Sequence, residues 1–190
     1  MTRRSLNFIT PLCLVIALAG SLHAKQPQGR DHLTAKEVDL VKDAQELDKR
    51  IDVFIKAIDR RLMIISGQKP VPTKKDKADA ELWGESPEGT RSDLVGDIAG
   101  IFDEAITNVD DVSLRDENNP ALPKALRKLA AEATRVLDQL KPLESSAKSP
   151  TETSNFSQLI DNAETIVQAA SKLPPEVVQQ RKAKGEKTKN

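Results

Sequence analysis

Cysteine, histidine and aromatic residues are scarce in this sequence, and their scarcity removes most catalytic and metal-binding chemistry. The 190 residues include one cysteine, two histidines, one tryptophan, four phenylalanines and no tyrosine. Cys13 and His23 lie near the N-terminus, so the remainder has no cysteine nucleophile, no disulfide framework and no thiolate metal site. His32 is then left without a second histidine for a haem or di-iron site, and it is not placed to activate a serine. The sequence therefore predicts no cofactor and favours a protein that is not an enzyme.

The shortage of aromatic residues also bears on the fold class. The core has to be built from Leu, Ile, Val and Ala, whereas strands draw heavily on aromatic and β-branched residues. The sequence shows no strand-like alternation of apolar and polar residues and no internal repeat. These absences predict an all-α protein.

The first 24 residues have the layout of a secretory signal peptide. Arg3 and Arg4 form a positive start, residues 12–19 are apolar, and a small residue, Ala24, precedes the expected cleavage point. The apolar run is shorter than the roughly 20 residues that a membrane span needs, and an uncleaved membrane anchor is the alternative. We therefore expect a periplasmic or secreted protein that does not span the membrane after cleavage near Ala24.

Cleavage would leave a chain of nearly balanced charge. Of the 29 Lys and Arg residues, Arg3 and Arg4 leave with the signal peptide, so 27 remain against 29 Asp and Glu, a net charge of −2. Such a balance gives no reason to expect a nucleic-acid partner. The remaining residues fit one domain: a flexible leader over 25–33, a helical domain over 34–180 and a basic, disordered tail over 181–190.

Four stretches repeat apolar residues every three or four positions, which is the period of an amphipathic helix. Thr34 with Glu37 and Thr90 with Asp93 form capping signatures that open helices reaching to about residues 65 and 114. A third helix begins near Pro120 and ends or kinks at Pro142, and a fourth is expected to begin after a loop over residues 145–153 and to run to residue 173. Four such helices must bury their apolar stripes on each other, which predicts an up-down four-helix bundle with a long first connection.

The first predicted helix is longer than its three partners. At 1.5 Å per residue it would span about 48 Å, against at most about 38 Å for the others. Its excess has to overhang, kink, meet the connection over residues 68–91 or meet a second chain. A homodimer formed through this helix is therefore one hypothesis.

The second predicted helix is unusually acidic. Between Asp93 and Glu117 it carries eight acidic residues against Arg115 alone, and Asp97, Glu104 and Asp111 recur at intervals of seven on one face. These three are candidate ligands for a cation, or for a basic partner. The simpler interpretation is a solvated face, or one that meets basic neighbours.

Trp83, the sole tryptophan, lies beside Leu82 within the long first connection. Tryptophan is enriched at binding hot spots, so Trp83 and Leu82 are candidate partner-binding residues. Alternatively, the pair folds back as a lid over one end of the bundle. The sequence leaves both interpretations open.

These observations predict an exported helical bundle that acts as a binding or structural module, engaging a protein or a component of the cell envelope. The alternative is a carboxylate-based cation binder, or a metal-dependent enzyme, that uses the acidic second helix.

Overall fold

The computed structural model describes residues 30–68 and 80–175, and all the regular secondary structure in these ranges is helical, with no strand. The predicted all-α class is therefore confirmed for this part of the chain. The predicted signal peptide and the basic tail lie outside the described residues. None of the helices in these two ranges combines the length and apolar character that a bilayer span requires.

Five α-helices and one 3₁₀ segment make up most of the described fold, and residues 80–83 form a further helical turn. The 3₁₀ segment, Lys141–Ser146, follows α4 directly. The α-helices are α1 (Ala35–Asp43), α2 (Leu47–Ile65), α3 (Arg91–Arg115), α4 (Ala121–Leu140) and α5 (Pro150–Ser171).

Both predicted capping boxes are present. The Thr34 hydroxyl accepts the backbone N–H of Glu37 while the Glu37 carboxylate accepts that of Thr34, and Thr90 and Asp93 repeat the arrangement at α3. Pro142 acts as expected, because α4 ends at Leu140 and the chain continues as 3₁₀ helix.

The prediction of one continuous helix from residue 34 to residue 65 is wrong. The chain leaves helical geometry at Ala44 and re-enters it at Leu47, so α1 and α2 are separate helices packed on one another. Arg50 stabilises the break, since its Nε donates to the Ala44 carbonyl (3.1 Å) and its Nη1 to Asn108 Oδ1 on α3 (2.7 Å). The break removes the excess length on which the homodimer hypothesis depended.

The predicted start of the fourth helix is also wrong, by about one turn. α5 begins at Pro150, and its N-cap is Ser149, whose hydroxyl accepts the backbone N–H of Glu152. Proline is well suited to the first helical position because the amide hydrogen that it lacks has no helical partner there. Residues 150–153, the last part of the predicted loop, therefore belong to the helix.

The longer helices pack in the order α2, α3, α5, α4 and back to α2, whereas α3 and α4 touch only weakly. Among the described helices, α2 and α5 do not approach closely. The core between them is made almost entirely of aliphatic and phenylalanine side chains, including Ile51, Phe54, Ile98, Phe102, Leu129 and Phe156, each with no exposed surface.

Side-chain contacts give the relative direction of the neighbouring helices. On α4, Lys124 and Lys128 pair with Asp48 and Asp52 of α2, both at 2.6 Å, so these two helices run parallel. Asn155 and Asn162 of α5 donate to the carbonyls of Ser92 (2.9 Å) and Ala99 (3.0 Å), which makes α3 and α5 parallel as well. Arg50 pairs with Asn108 while Arg61 approaches Asp97, so α2 and α3 are antiparallel.

Two glycines on α3 give room to neighbouring side chains. A Cβ on Gly96 would lie 2.9 Å from Asn155 Nδ2, and one on Gly100 would lie 2.9 Å from His32 Cγ. Each glycine therefore leaves space for a polar side chain. His32 is thereby brought within 2.7 Å of Glu104, and the next residue, Leu33, is buried in the core. The last residues of the predicted leader thus pack on the helices.

A buried ionic cluster joins α1, α2 and α3. Glu37, Arg61 and Asp97 are 0%, 1% and 3% exposed. The guanidinium of Arg61 donates to both carboxylate oxygens of Glu37 (3.1 and 2.9 Å) and to the carbonyls of Ala57 and His32, while its Nε lies 3.4 Å from Asp97 Oδ2. Such a cluster withstands burial because nearly every polar atom has a partner.

Arg60 connects this cluster to the segment before α3. Its Nη1 donates to Glu37 Oε1 (2.6 Å), and its Nη2 donates to the backbone carbonyls of Gly84 and Glu85. The guanidinium also stacks over the Trp83 ring, 5.8 Å from its centroid. The Glu37 carboxylate therefore binds two adjacent arginines, and together they join α1, α2 and the segment before α3.

We expect Glu37→Gln to lower the free energy of unfolding by roughly 3 kcal/mol, because removing one partner leaves buried arginine charge uncompensated. Burial alone raises the pKa of Glu37, but hydrogen bonds from Arg61 and Thr34 and the charges of Arg61 and Arg60 outweigh burial and hold the pKa below its ordinary value of 4.5. The carboxylate therefore stabilises the fold above about pH 4.5, and this contribution is lost as the pH falls through the lowered pKa.

Urea denaturation of both proteins at pH 7 and at about pH 3 checks this, with the difference between them shrinking at the lower pH. Glu81→Gln, at an exposed position, is the matched control and should leave the unfolding free energy nearly unchanged. Equal stability of Glu37→Gln and the original protein at pH 7 would contradict the structural role of the cluster.

Candidate functional site

An apolar groove lies where the C-terminal turns of α3 and α5 meet the N-terminal turns of α4. Its volume is about 570 Å³, which falls within the usual range for ligand pockets. Large aliphatic side chains form its floor: Ile106, Val109, Leu122, Leu126, Ile166 and Leu173. Of these, Ile166 is buried and the others are partly exposed, so the floor presents apolar surface to solvent.

The turn between α3 and α4 holds one wall of the groove in place. The Asp116 carbonyl accepts the backbone N–H of Asn119 (3.1 Å), and the Asp116 carboxylate accepts that of Asn118 (3.2 Å). Asn119 then accepts the backbone N–H of Ala121 through its side chain (3.0 Å), just before Pro123 in the first turn of α4. Side-chain hydrogen bonds of this kind fix a turn. The groove is therefore bordered by a short, well-bonded connection.

The charged residues that line the groove are both acidic. Asp110 and Glu117 are exposed, and polar groups complete the rim: Ser113, Asn118, Asn119 and Thr165. Asp111 and Asp116, next to these acids, are exposed too, and Arg115 is the one basic residue among them, held by the Asp111 carbonyl (3.0 Å). An apolar floor with an acidic rim suits a ligand that has apolar side chains flanked by basic ones.

The structure gives the three candidate cation ligands different surroundings. Asp97 is buried beside Arg61, and Glu104 Oε2 accepts a hydrogen bond from His32 Nε2. Asp111 Oδ2 lies 3.9 Å from Arg115 Nη2. Within residues 30–68 and 80–175, no group of three or more His, Cys, Asp or Glu side chains is arranged to hold a metal ion. Their seven-residue spacing places them on one side of α3 but does not bring them together.

Trp83 and Leu82 also differ in their surroundings. Trp83 is half-buried, packs against the hydrophobic core and lies under the guanidinium of Arg60. Leu82 is 55% exposed. Trp83 thus has the contacts expected of a lid, while Leu82 keeps most of its surface in solvent.

The sequence does not reveal the groove, although one signal points towards it. Val109, Leu122 and Leu126 belong to the predicted apolar stripes, and nothing in a stripe distinguishes a covered position from an uncovered one. The signal is the density of acidic residues over 110–117 beside such stripes, at the end of the second predicted helix.

Comparison of the chain with protein-family models, with curated proteins and with solved structures found no match in any of the three.

We expect Trp83→Ala to lower the unfolding free energy by about 2 kcal/mol, because the variant loses apolar contact with the core together with the cation–π contact to Arg60. Thermal and urea denaturation measure this loss. Leu82→Ala is the matched control at the neighbouring position, and since Leu82 is largely exposed its stability should be close to that of the original protein. Equal losses in the two variants would rule out a lid formed by Trp83 specifically.

Proposed function

We propose that this protein is an exported helical binding module whose groove, lined by α3, α4 and α5, holds a segment of a partner protein. The segment carries apolar side chains for the floor and Lys or Arg residues for the rim. The observation that carries this proposal is an apolar floor left open to solvent beside a rim whose charged residues are all acidic. No catalytic role is included in the proposal.

A protein segment fits this groove better than a small polar metabolite does. The floor is made of aliphatic side chains from three helices, and its polar groups lie at the edge, where they meet flanking residues of a ligand. A helix that presents apolar residues at intervals of three and four binds grooves of this kind. The acidic rim would then select basic partners and speed their association.

We further propose that α2 to α5 form a four-helix bundle in which successive helices alternate in direction. The antiparallel contacts of α2 with α3, and the pairing of Lys141 at the end of α4 with Glu164 of α5 (2.6 Å), support alternation along the chain. The parallel contacts of α2 with α4 and of α3 with α5 imply that the short α3–α4 turn crosses a diagonal of the bundle. This arrangement leaves the ends of three helices around the groove.

Export is proposed from the sequence of residues 1–24, whose positive start, apolar run and small terminal residue are typical of a cleaved signal. A partner would then be met outside the cytoplasm, as a periplasmic, secreted or envelope-associated protein.

We expect the full chain to bind a synthetic amphipathic Leu/Lys peptide of about 18 residues, or five helical turns, measured by fluorescence anisotropy. A Leu/Glu peptide of the same pattern should bind at least about tenfold more weakly because of the acidic rim, and a Gln/Lys peptide should do so because it lacks apolar side chains. Equal binding of the Leu/Lys and Gln/Lys peptides would show unspecific charge attraction and would contradict the proposal.

Matched variants locate the binding surface. Leu122→Gln removes an apolar side chain from the floor and should weaken binding of the Leu/Lys peptide about tenfold. Leu114→Gln makes the same chemical change at a residue that is 86% exposed and not part of the groove lining, so it should leave the affinity unchanged. Similar effects of the two changes would place the peptide elsewhere.

The export proposal predicts that the intact mass of protein recovered from the extracytoplasmic fraction corresponds to a chain that begins at Lys25. Recovery of full-length protein in the membrane fraction would instead identify an uncleaved anchor. Arg3→Glu with Arg4→Glu should reduce export, because the positive start of the signal is then lost.

A further inference from the structure

The described part of the chain reaches the groove at residues 173–175. Leu173 lines the floor, and the carbonyl of the next residue, Pro174, accepts a hydrogen bond from Arg127 Nη2 on α4. The point from which residues 176–190 continue is therefore fixed at the margin of the groove. Pro174 and Pro175 both restrict the backbone there.

The composition of the remaining 15 residues matches the chemistry of the groove. Val177 and Val178 form an apolar pair that Glu176 precedes. Five basic residues follow the pair, with one acid, Glu186, among them: Arg181, Lys182, Lys184, Lys187 and Lys189. This is an apolar element with a basic flank, the same combination that the floor and the acidic rim would select. The match involves charge as well as hydrophobicity, since Asp110 and Glu117 carry the opposite sign.

The reach of the chain is sufficient. Val177 is three residues beyond Pro174, a distance of up to about 10 Å, and an extended chain from Pro174 to Lys189 covers up to about 50 Å. A segment tethered this closely has an effective concentration in the millimolar range. Even a weak intrinsic affinity would then keep the groove largely occupied.

We propose that residues 176–190 fold back into the groove of the same chain, with Val177 and Val178 on the apolar floor and the basic residues towards Asp110 and Glu117. An external partner must displace this segment, so the tail sets a threshold for binding. This inference rests on the proposed function in one respect, which is that the groove accepts a peptide ligand.

Cysteine cross-linking in the full chain tests the contact without any external ligand. Val177→Cys is combined with Ser113→Cys, an exposed position on the rim, in a chain whose Cys13 is replaced by Ser. The matched control combines Val177→Cys with Gln168→Cys, which is exposed on α5 outside the groove lining. Under mild oxidation with glutathione disulfide, the Ser113 pair should cross-link within one chain at least about tenfold faster than the control pair, as expected of an occupied rather than a freely moving segment.

Three results would overturn the inference. They are equal cross-linking rates for the two pairs, cross-links formed only between two chains, and a rate for the Ser113 pair that is unaffected by Glu117→Lys. Cross-links only between two chains would assign the groove to the tail of a second copy.

The Leu/Lys peptide separates this inference from the proposed function. Val177→Asp with Val178→Asp in the full chain should raise the affinity for that peptide about tenfold, since a competitor occupying the groove nine-tenths of the time reduces apparent affinity by that factor. Unchanged affinity, with the peptide still sensitive to Leu122→Gln, would refute the tail contact and leave the proposed function in place. Loss of peptide binding in every variant, including the original chain, would refute both.

Discussion

The buried pairing of Arg61 with Glu37 is the interaction on which the arrangement of the described chain depends. Arg61 is the largest fully buried side chain, and it places a charge among α1, α2 and α3, where only a paired and hydrogen-bonded ion is tolerated. Glu37 is fixed in turn by the capping box at the start of α1. The start of α1, the C-terminal half of α2 and the N-terminal half of α3 therefore have to meet at one point.

Several features follow from that meeting point. With Glu37 held at Arg60 and Arg61, α1 has to lie back along α2, which requires the chain to turn between Ala44 and Glu46. Arg60 donates to the carbonyls of Gly84 and Glu85 and stacks over the ring of Trp83. The segment before α3 is therefore bound to the same cluster. The end of the fold where α2 finishes and α3 begins is thus covered by polar contacts and by Trp83. The opposite end has no comparable cover among the described residues, and the groove is found there.

The sequence predicts the helices well where a local signal decides them, and poorly where tertiary contacts decide. Capping boxes at Thr34 and Thr90, the stop at Pro142 and the apolar stripes are local, and each was found. The break at Ala44–Glu46 contains neither proline nor glycine, and its cause is Arg50 and the distant Glu37–Arg61 pair, which periodicity does not reveal. The sequence does not predict the Ser149 cap because Pro, Ser and Thr are common both in loops and in first helical turns.

The candidate functional residues likewise include some that local sequence signals reveal and some that only tertiary contacts decide. Asp97 repeats at the same interval as Glu104 and Asp111, yet it is buried against Arg61, because a face of α3 that is continuous in sequence meets different neighbours along its length. The sequence shows the acidic character of residues 110–117 but does not show the apolar floor beside them. Exposed and buried positions of an apolar stripe carry the same kinds of residue, so the sequence does not distinguish them. Which stripe positions stay open depends on the packing order α2, α3, α5, α4. That order is fixed by contacts such as Asp48 with Lys124 and Ser92 with Asn155, which join residues more than 60 positions apart.

The apolar floor that is left open to solvent lowers the stability of the fold. Each partly exposed aliphatic side chain there forgoes about 25 cal/mol per Å² of stabilisation that burial would supply, and polar replacements at Leu122 or Val109 would remove the exposed apolar area at little cost to helix formation. The surrounding turn is nevertheless built with side-chain hydrogen bonds that hold the floor in one shape. A surface that is both apolar and preorganised loses little entropy when a ligand covers it. These are the physical properties that the proposed binding role requires, and the acidic rim favours a segment with basic residues.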